Sequence, residues 1–230
     1  MAQKITQRTE SDEFQTEIKE KNPSTFEEES NIPYSTKREK TFPLAPIGLY
    51  GFSISCILPG LTNLGAIKYS SISIGAFTLF GGLCQYLYGI LGWYEGSFMD
   101  IFLSGNYGIF NALFFFINKY AAEGITPPNG KCYGVFNLLW SYVALISFIV
   151  GLKGNKVNLA NQLSICLAFF FNAIANFENS NVCTKINGAL NILIGVITFY
   201  SATSLLIIGI YGRTILPLFA PGEKIECCSK

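Results

Sequence analysis

YGVFNLLWSYVALISFIVGL, residues 133–152, runs for twenty residues without a charge. A helix of that length rises about 30 Å, the thickness of a bilayer's hydrocarbon core. Five similar runs accompany it: Ala45–Ile67, Ile72–Trp93, Ile101–Ile117, Val157–Phe177 and Ile186–Tyr211. None carries a charge in its middle. All reach spanning length except Ile101–Ile117, which does so only with Asp100 and its neighbours at the interface. The reading is an all-α integral membrane protein of six transmembrane helices, with the lipid bilayer as its solvent.

Composition agrees. The 230 residues are 50% hydrophobic and 13% charged, against about 25% charged in a soluble domain. Nine of the fifteen acidic residues lie before residue 40. Residues 1–40 therefore read as a disordered, solvated N-terminal tail, 45–212 as the membrane domain and 213–230 as a short C-terminal tail. The tail has no apolar stretch that would make it a signal peptide. There is no basic stripe for nucleic acid.

The connections between runs are short, which makes neighbouring helices antiparallel and puts both termini on one side. That side carries eight basic residues: Lys37, Arg38, Lys40, Lys153, Lys156, Arg213, Lys224 and Lys230. The other carries four: Lys68, Lys119, Lys131 and Lys185. The excess of positive charge predicts that both termini are cytoplasmic. Cys56, Cys84 and Cys166 fall inside spans as small core residues; Cys132 and Cys183 share one side, either bridged or free. Cys227 and Cys228 are either acylated or plain thiols.

Absences narrow the chemistry. The chain has no histidine, so imidazole metal ligands, general bases and proton relays are excluded. No phosphate-binding loop, serine-nucleophile elbow or pair of intramembrane carboxylates occurs. The residues imply no cofactor and no metal, and argue against an enzyme.

What the spans do contain is amide: Asn63, Gln85, Asn106, Asn111, Asn137, Asn161, Gln162, Asn172, Asn176, Asn187 and Asn191. An unpaired amide in hydrocarbon costs several kcal/mol. These groups therefore either bond between helices, at about 0.6 to 2 kcal/mol each, or line a polar path. No Lys or Arg stands mid-span to hold an anion, and an unpaired carboxylate there is costly. Protonating a small acid of pKa about 4–5 at neutral pH costs only about 3–4 kcal/mol. Such a path suits a weak acid travelling with its proton, or an anion bound weakly by amides, hydroxyls and ring edges.

Particular segments carry a resemblance. Pro46-Ile47-Gly48-Leu49-Tyr50-Gly51-Phe52 resembles the signature opening of the acetate uptake transporter family, the succinate–acetate permeases and their fungal relatives. Asn63-Leu64-Gly65, Gly81-Gly82-Leu83-Cys84-Gln85 and Ser104-Gly105-Asn106-Tyr107-Gly108 are similar to motifs of the first three spans. Leu138-Leu139-Trp140 with Gly151-Leu152-Lys153-Gly154, and Gly212-Arg213-Thr214-Ile215-Leu216-Pro217, continue the likeness to the end. The chain departs from the family in Phe42-Pro43-Leu44-Ala45-Pro46, which lacks an Asn and has one extra residue between prolines.

The resemblance implies six helices around a narrow pore in each protomer of a homo-hexamer. It implies transport of acetate, and of succinate or related short carboxylates, with protons or channel-like, in the plasma membrane. The family's Phe–Tyr–Leu gate falls on Phe52, Tyr107 and Ile165; Pro46, Gly48, Leu49 and Gly51 carry the opening motif. Asn63, Gln85, Asn106 and Thr198 are candidates for wet contacts along the path. Two other readings stand beside this one: a sensor or scaffold of the same fold without flux, and a channel for neutral solutes such as ammonia, water or undissociated acid.

Overall fold

The computed structural model describes residues 45–95, 98–124 and 129–222. The expected N-terminal tail, Pro43, Pro127, Pro128 and the terminal cysteines lie outside them. Six spans form. They are α1 (Ala45–Asn63), α2 (Ser71–Gly75, Ala76–Cys84 and Gln85–Glu95 end to end), α3 (Phe98–Ala122), α4 (Gly130–Val150), α5 (Lys156–Glu178) and α6 (Asn181–Tyr211). No strand occurs among the described residues. Each of the six is long and apolar enough to cross a membrane. The chain is a multi-pass integral membrane protein.

Two boundaries differ from the sequence expectation. The third span begins at Phe98 and ends at Ala122, and the sixth starts at Asn181 rather than Ile186. Polar residues such as Lys119 and Lys185 prolong these helices past the apolar runs, since an apolar run measures the hydrocarbon core and not the helix. The longest expected loop, 118–132, shrinks accordingly. Cys183 then sits in the first turn of α6 rather than in a loop, and both it and Cys132 are free thiols.

Caps define the turns. Asn129 Oδ1 accepts from the backbone N–H of Lys131 at 2.9 Å, and Asn155 Oδ1 from that of Asn158 at 2.7 Å. Each satisfies a donor that a helix start leaves open. α5 ends on Asn179 at φ 49°, and Ser180 caps α6 one residue later, so the two helices fold back with almost no linker.

Packing is antiparallel. Tyr50 meets Thr203, Ser53 meets the Gly195 carbonyl and Asn63 meets Asn187, so α1 and α6 run in opposite directions. Their closest approach needs two glycines. A Cβ on Gly60 would lie 2.8 Å from the Gly188 oxygen, and one on Gly188 would lie 2.9 Å from the Gly60 oxygen. α5 packs on both α4 and α6, and α2 on α1 and α3. Between α3 and α4 large rings fill the space. Phe110 stacks on Phe136 at 5.7 Å and meets Trp140 edge-on at 4.9 Å.

The second span is not a plain α-helix. Ala76–Cys84 winds as a π-helix, a rare geometry that recurs at functional sites. Gly81 and Gly82 lie within it, and its Phe80 carbonyl packs so close to Gly51 of α1 that no Cβ would fit there.

Polarity is arranged for lipid. Ile72, Leu139 and Tyr142 are exposed, whereas Asn137, Ser53 and Thr198 are almost fully buried. No buried side-chain nitrogen or oxygen among the described residues lacks a partner, as a bilayer demands. Past Gly212 the chain folds back. Ser204 donates to the Leu216 carbonyl at 2.6 Å and Tyr200 to that of Pro217 at 2.8 Å. The Phe219 and Leu218 carbonyls accept from the first two backbone N–H groups of α5, at 3.4 and 3.5 Å.

Candidate transport path

Three elements bring the expected constriction together. Phe52 lies on α1, Tyr107 on α3 and Ile165 on α5, and all three are buried, at 8%, 4% and 3% exposure. They belong to one apolar cluster with Cys56, Ala144, Ala168 and Ile194. The Phe52 and Tyr107 rings stack with centroids 5.7 Å apart, and Trp140 backs Tyr107 at 5.8 Å. The Tyr107 hydroxyl donates to Gln162 Oε1 at 3.4 Å.

This cluster floors a cavity of about 400 Å³. The cavity runs from Phe52, Tyr107 and Ile165 towards Asn63, Gly130 and Asn176, at the opposite ends of their helices from Ala45 and Tyr211. No lining residue is charged.

Two kinds of wall enclose it. α1, α5 and α6 supply amides. Asn63 Nδ2 donates to Asn187 Oδ1 at 2.8 Å, and Asn191 Nδ2 donates to the same oxygen at 3.0 Å. Asn187 Nδ2 donates to the Ala168 carbonyl at 2.8 Å. Asn172 donates to Asn137 Oδ1 at 3.0 Å and receives from Asn176 at 3.2 Å. α2 and α3 supply mainly rings: Phe77 and Phe114 stack at 4.9 Å, and Phe110 stands edge-on to Phe114 at 5.2 Å. Among the described residues, the one amide lining that side is Asn111, which donates to the Gly81 carbonyl at 3.1 Å. The amides thus do both things the sequence allowed: they bond to one another, and several also face open space.

The other wet-contact candidates stand off this cavity wall. Gln85 is buried and accepts from Asn111 at 3.4 Å. Asn106 donates back to the Phe102 carbonyl of its own helix at 2.7 Å. Thr198 lies one turn beyond Ile194, on the far side of this apolar cluster, where Asn161 donates to it at 3.2 Å. Of the opening motif, Gly48 and Gly51 take the close approach of Tyr88 and Phe80, Pro46 is buried, and Leu49 is half-buried.

The vestibule amides Asn172, Asn176, Asn187 and Asn191 were visible in the sequence as polar residues but were not assigned to a site. Their spacing carried the signal. Pairs four residues apart on α5 and α6 share one helix face. Phe77, Phe110 and Phe114 carried none, because aromatic residues populate every span.

The chain is similar to known membrane proteins. The chain is 29% identical over 175 residues to the succinate-acetate/proton symporter SatP of Escherichia coli strain K12, covering 76% of this chain and 93% of that one. It is 25% identical over 168 residues to ammonia transport outward protein 2 of Saccharomyces cerevisiae, covering 69% and 59%. The solved structure of the bacterial acetate channel SatP superposes with a TM-score of 0.73 at 28% identity, over 76% of this chain and 97% of that one. Residues 26–210 match throughout, and the chain belongs to the GPR1/FUN34/yaaH family.

Proposed function

We propose that this protein carries acetate and related short carboxylates, succinate among them, across a membrane, either with a proton or as the undissociated acid. The observation that supports it best is an uncharged, amide-lined cavity ending on the buried Phe52–Tyr107–Ile165 cluster. The relatives named for succinate, acetate and protons add to it. On this reading the chain performs transport and no catalysis.

The cavity explains how a weak acid would be handled. Without a cation, an ionised carboxylate entering it loses its hydration and gains no counter-charge, which costs several kcal/mol. Protonation at neutral pH costs about 3–4 kcal/mol instead. The neutral acid then crosses a ring of apolar side chains that stays dry for ions. Phe52, Tyr107 and Ile165 form that gate. Asn63 serves the vestibule, while Gln85, Asn106 and Thr198 line or brace the rest of the path. Each protomer holds its own pore within a homo-hexamer in the plasma membrane. Residues 1–40 and 213–230 form cytoplasmic tails flanking the 45–212 transporter domain.

A second reading, a channel for ammonia or another small neutral solute, is favoured by the relative named for ammonia transport and by the lack of charge in the cavity.

Uptake of labelled acetate into proteoliposomes decides the matter. The first reading expects saturable uptake, raised by an inward proton gradient. No flux above empty vesicles defeats it. Phe52→Ala should widen the gate, admitting larger acids and raising leak about tenfold, equivalent to about 1.4 kcal/mol off the barrier. An unchanged size limit would remove Phe52 from the gate.

A further inference from the structure

Three amide carbonyl oxygens of the vestibule face open space with no donor from the described residues on them. Asn63, Asn176 and Asn191 each spend an Nδ2 hydrogen on a neighbour. No described residue donates to the Oδ1 of any of the three. Because no buried polar side-chain atom among the described residues is unpaired, these oxygens are not sealed in the packing. All three residues line the cavity.

A carbonyl oxygen seeks a donor. A carboxylate has only acceptor oxygens and meets these groups like against like. An undissociated acid offers an O–H, and a primary carboxamide offers two N–H donors beside one acceptor. The rest of the cavity suits the other end of such a molecule. Phe77 and Phe114 stack on the side of α2 and α3, opposite in origin to the carbonyls of α1, α5 and α6. A methyl group fits against those rings. The volume of about 400 Å³ compares with about 30 Å³ per water in the liquid, so a molecule of four heavy atoms enters with waters to spare.

We infer that the vestibule is a binding site for small uncharged hydrogen-bond donors, and that it takes short primary carboxamides such as acetamide by the same contacts as the undissociated acid. The inference rests on reading this cavity as the substrate path, but it names a class of ligand that an acid carrier does not require.

The test uses the purified full-length protein in proteoliposomes, with swelling followed by light scattering under an inward gradient of acetamide. Methanesulfonate, which stays ionised, is the control of similar shape. The expected result is acetamide entry above empty vesicles, with no methanesulfonate entry. Asn176→Leu with Asn191→Leu should lower acetamide entry roughly tenfold or more, at about fivefold per hydrogen bond lost. Asn176→Gln, which keeps the carbonyl, should retain most of it. Acetamide entry equal to that of empty vesicles overturns the inference, and that measurement needs no variant. So does acetamide entry that the double substitution leaves intact. Acetate uptake without acetamide entry defeats the site and spares the carrier. Acetamide entry without acetate uptake does the reverse.

Discussion

The two sides of the Phe52–Tyr107–Ile165 cluster use similar residues to different ends. On the vestibule side, Asn187 is a shared node that joins Asn63, Asn191 and the Ala168 carbonyl, and the amides around it still face a cavity. On the other side, Asn161 and Thr198 bond to each other, and Gln162 receives the Tyr107 hydroxyl. These groups are buried and lie off the vestibule wall. The difference teaches that amide content alone does not make a path. A path needs amides whose bonding capacity exceeds what their neighbours consume.

That contrast can be broken by substitution. Asn187→Leu has the largest expected effect, since it removes three hydrogen bonds from a residue at 4% exposure. At about 1 kcal/mol each, the loss is roughly 2–4 kcal/mol, read as lowered thermal stability in detergent. Thr198→Val keeps the shape and removes the pair with Asn161 on the other side, together with a bond to the Ile194 carbonyl within its own helix. Only the first joins two helices, so a loss of about 1 kcal/mol is expected. If Thr198→Val costs as much as Asn187→Leu, the two sides do not differ as described. Tyr107→Phe is the mildest. It removes one long hydrogen bond of 3.4 Å and leaves the stacked ring in place, so stability should fall by about 0.5 kcal/mol or less. A larger loss would mean that the Tyr107–Gln162 contact, rather than ring packing, holds the constriction.

Much of this was legible in the sequence. Uncharged runs of about twenty residues gave six spans, and the order of the motifs from Pro46 to Pro217 pointed to the family. The ends of α3 and α6 were not legible, because Lys119 and Asn181 continue a helix whose middle alone is in hydrocarbon. The π-helical turns of α2 left no trace beyond Gly81 and Gly82. They coincide with the close packing of the Phe80 carbonyl on Gly51 of α1, a contact between helices that spacing within one helix does not show. For the path, the amides could be counted, but their division could not be seen. Whether Asn161 meets Thr198 or open space depends on which helix lies opposite. Spacing within one helix fixes only which residues share a face.

Acetate uptake measured against pH, at constant total acetate and with no proton gradient across the vesicle, bears most directly on neutral passage through an apolar constriction. Above the acid's pKa of about 4–5, the undissociated fraction falls tenfold per pH unit. The initial rate at subsaturating acetate should therefore fall about tenfold from pH 6 to pH 7, and again to pH 8. A rate that stays constant over this range would follow the anion. It would contradict neutral passage and require a cationic group in the path that the cavity lining does not contain.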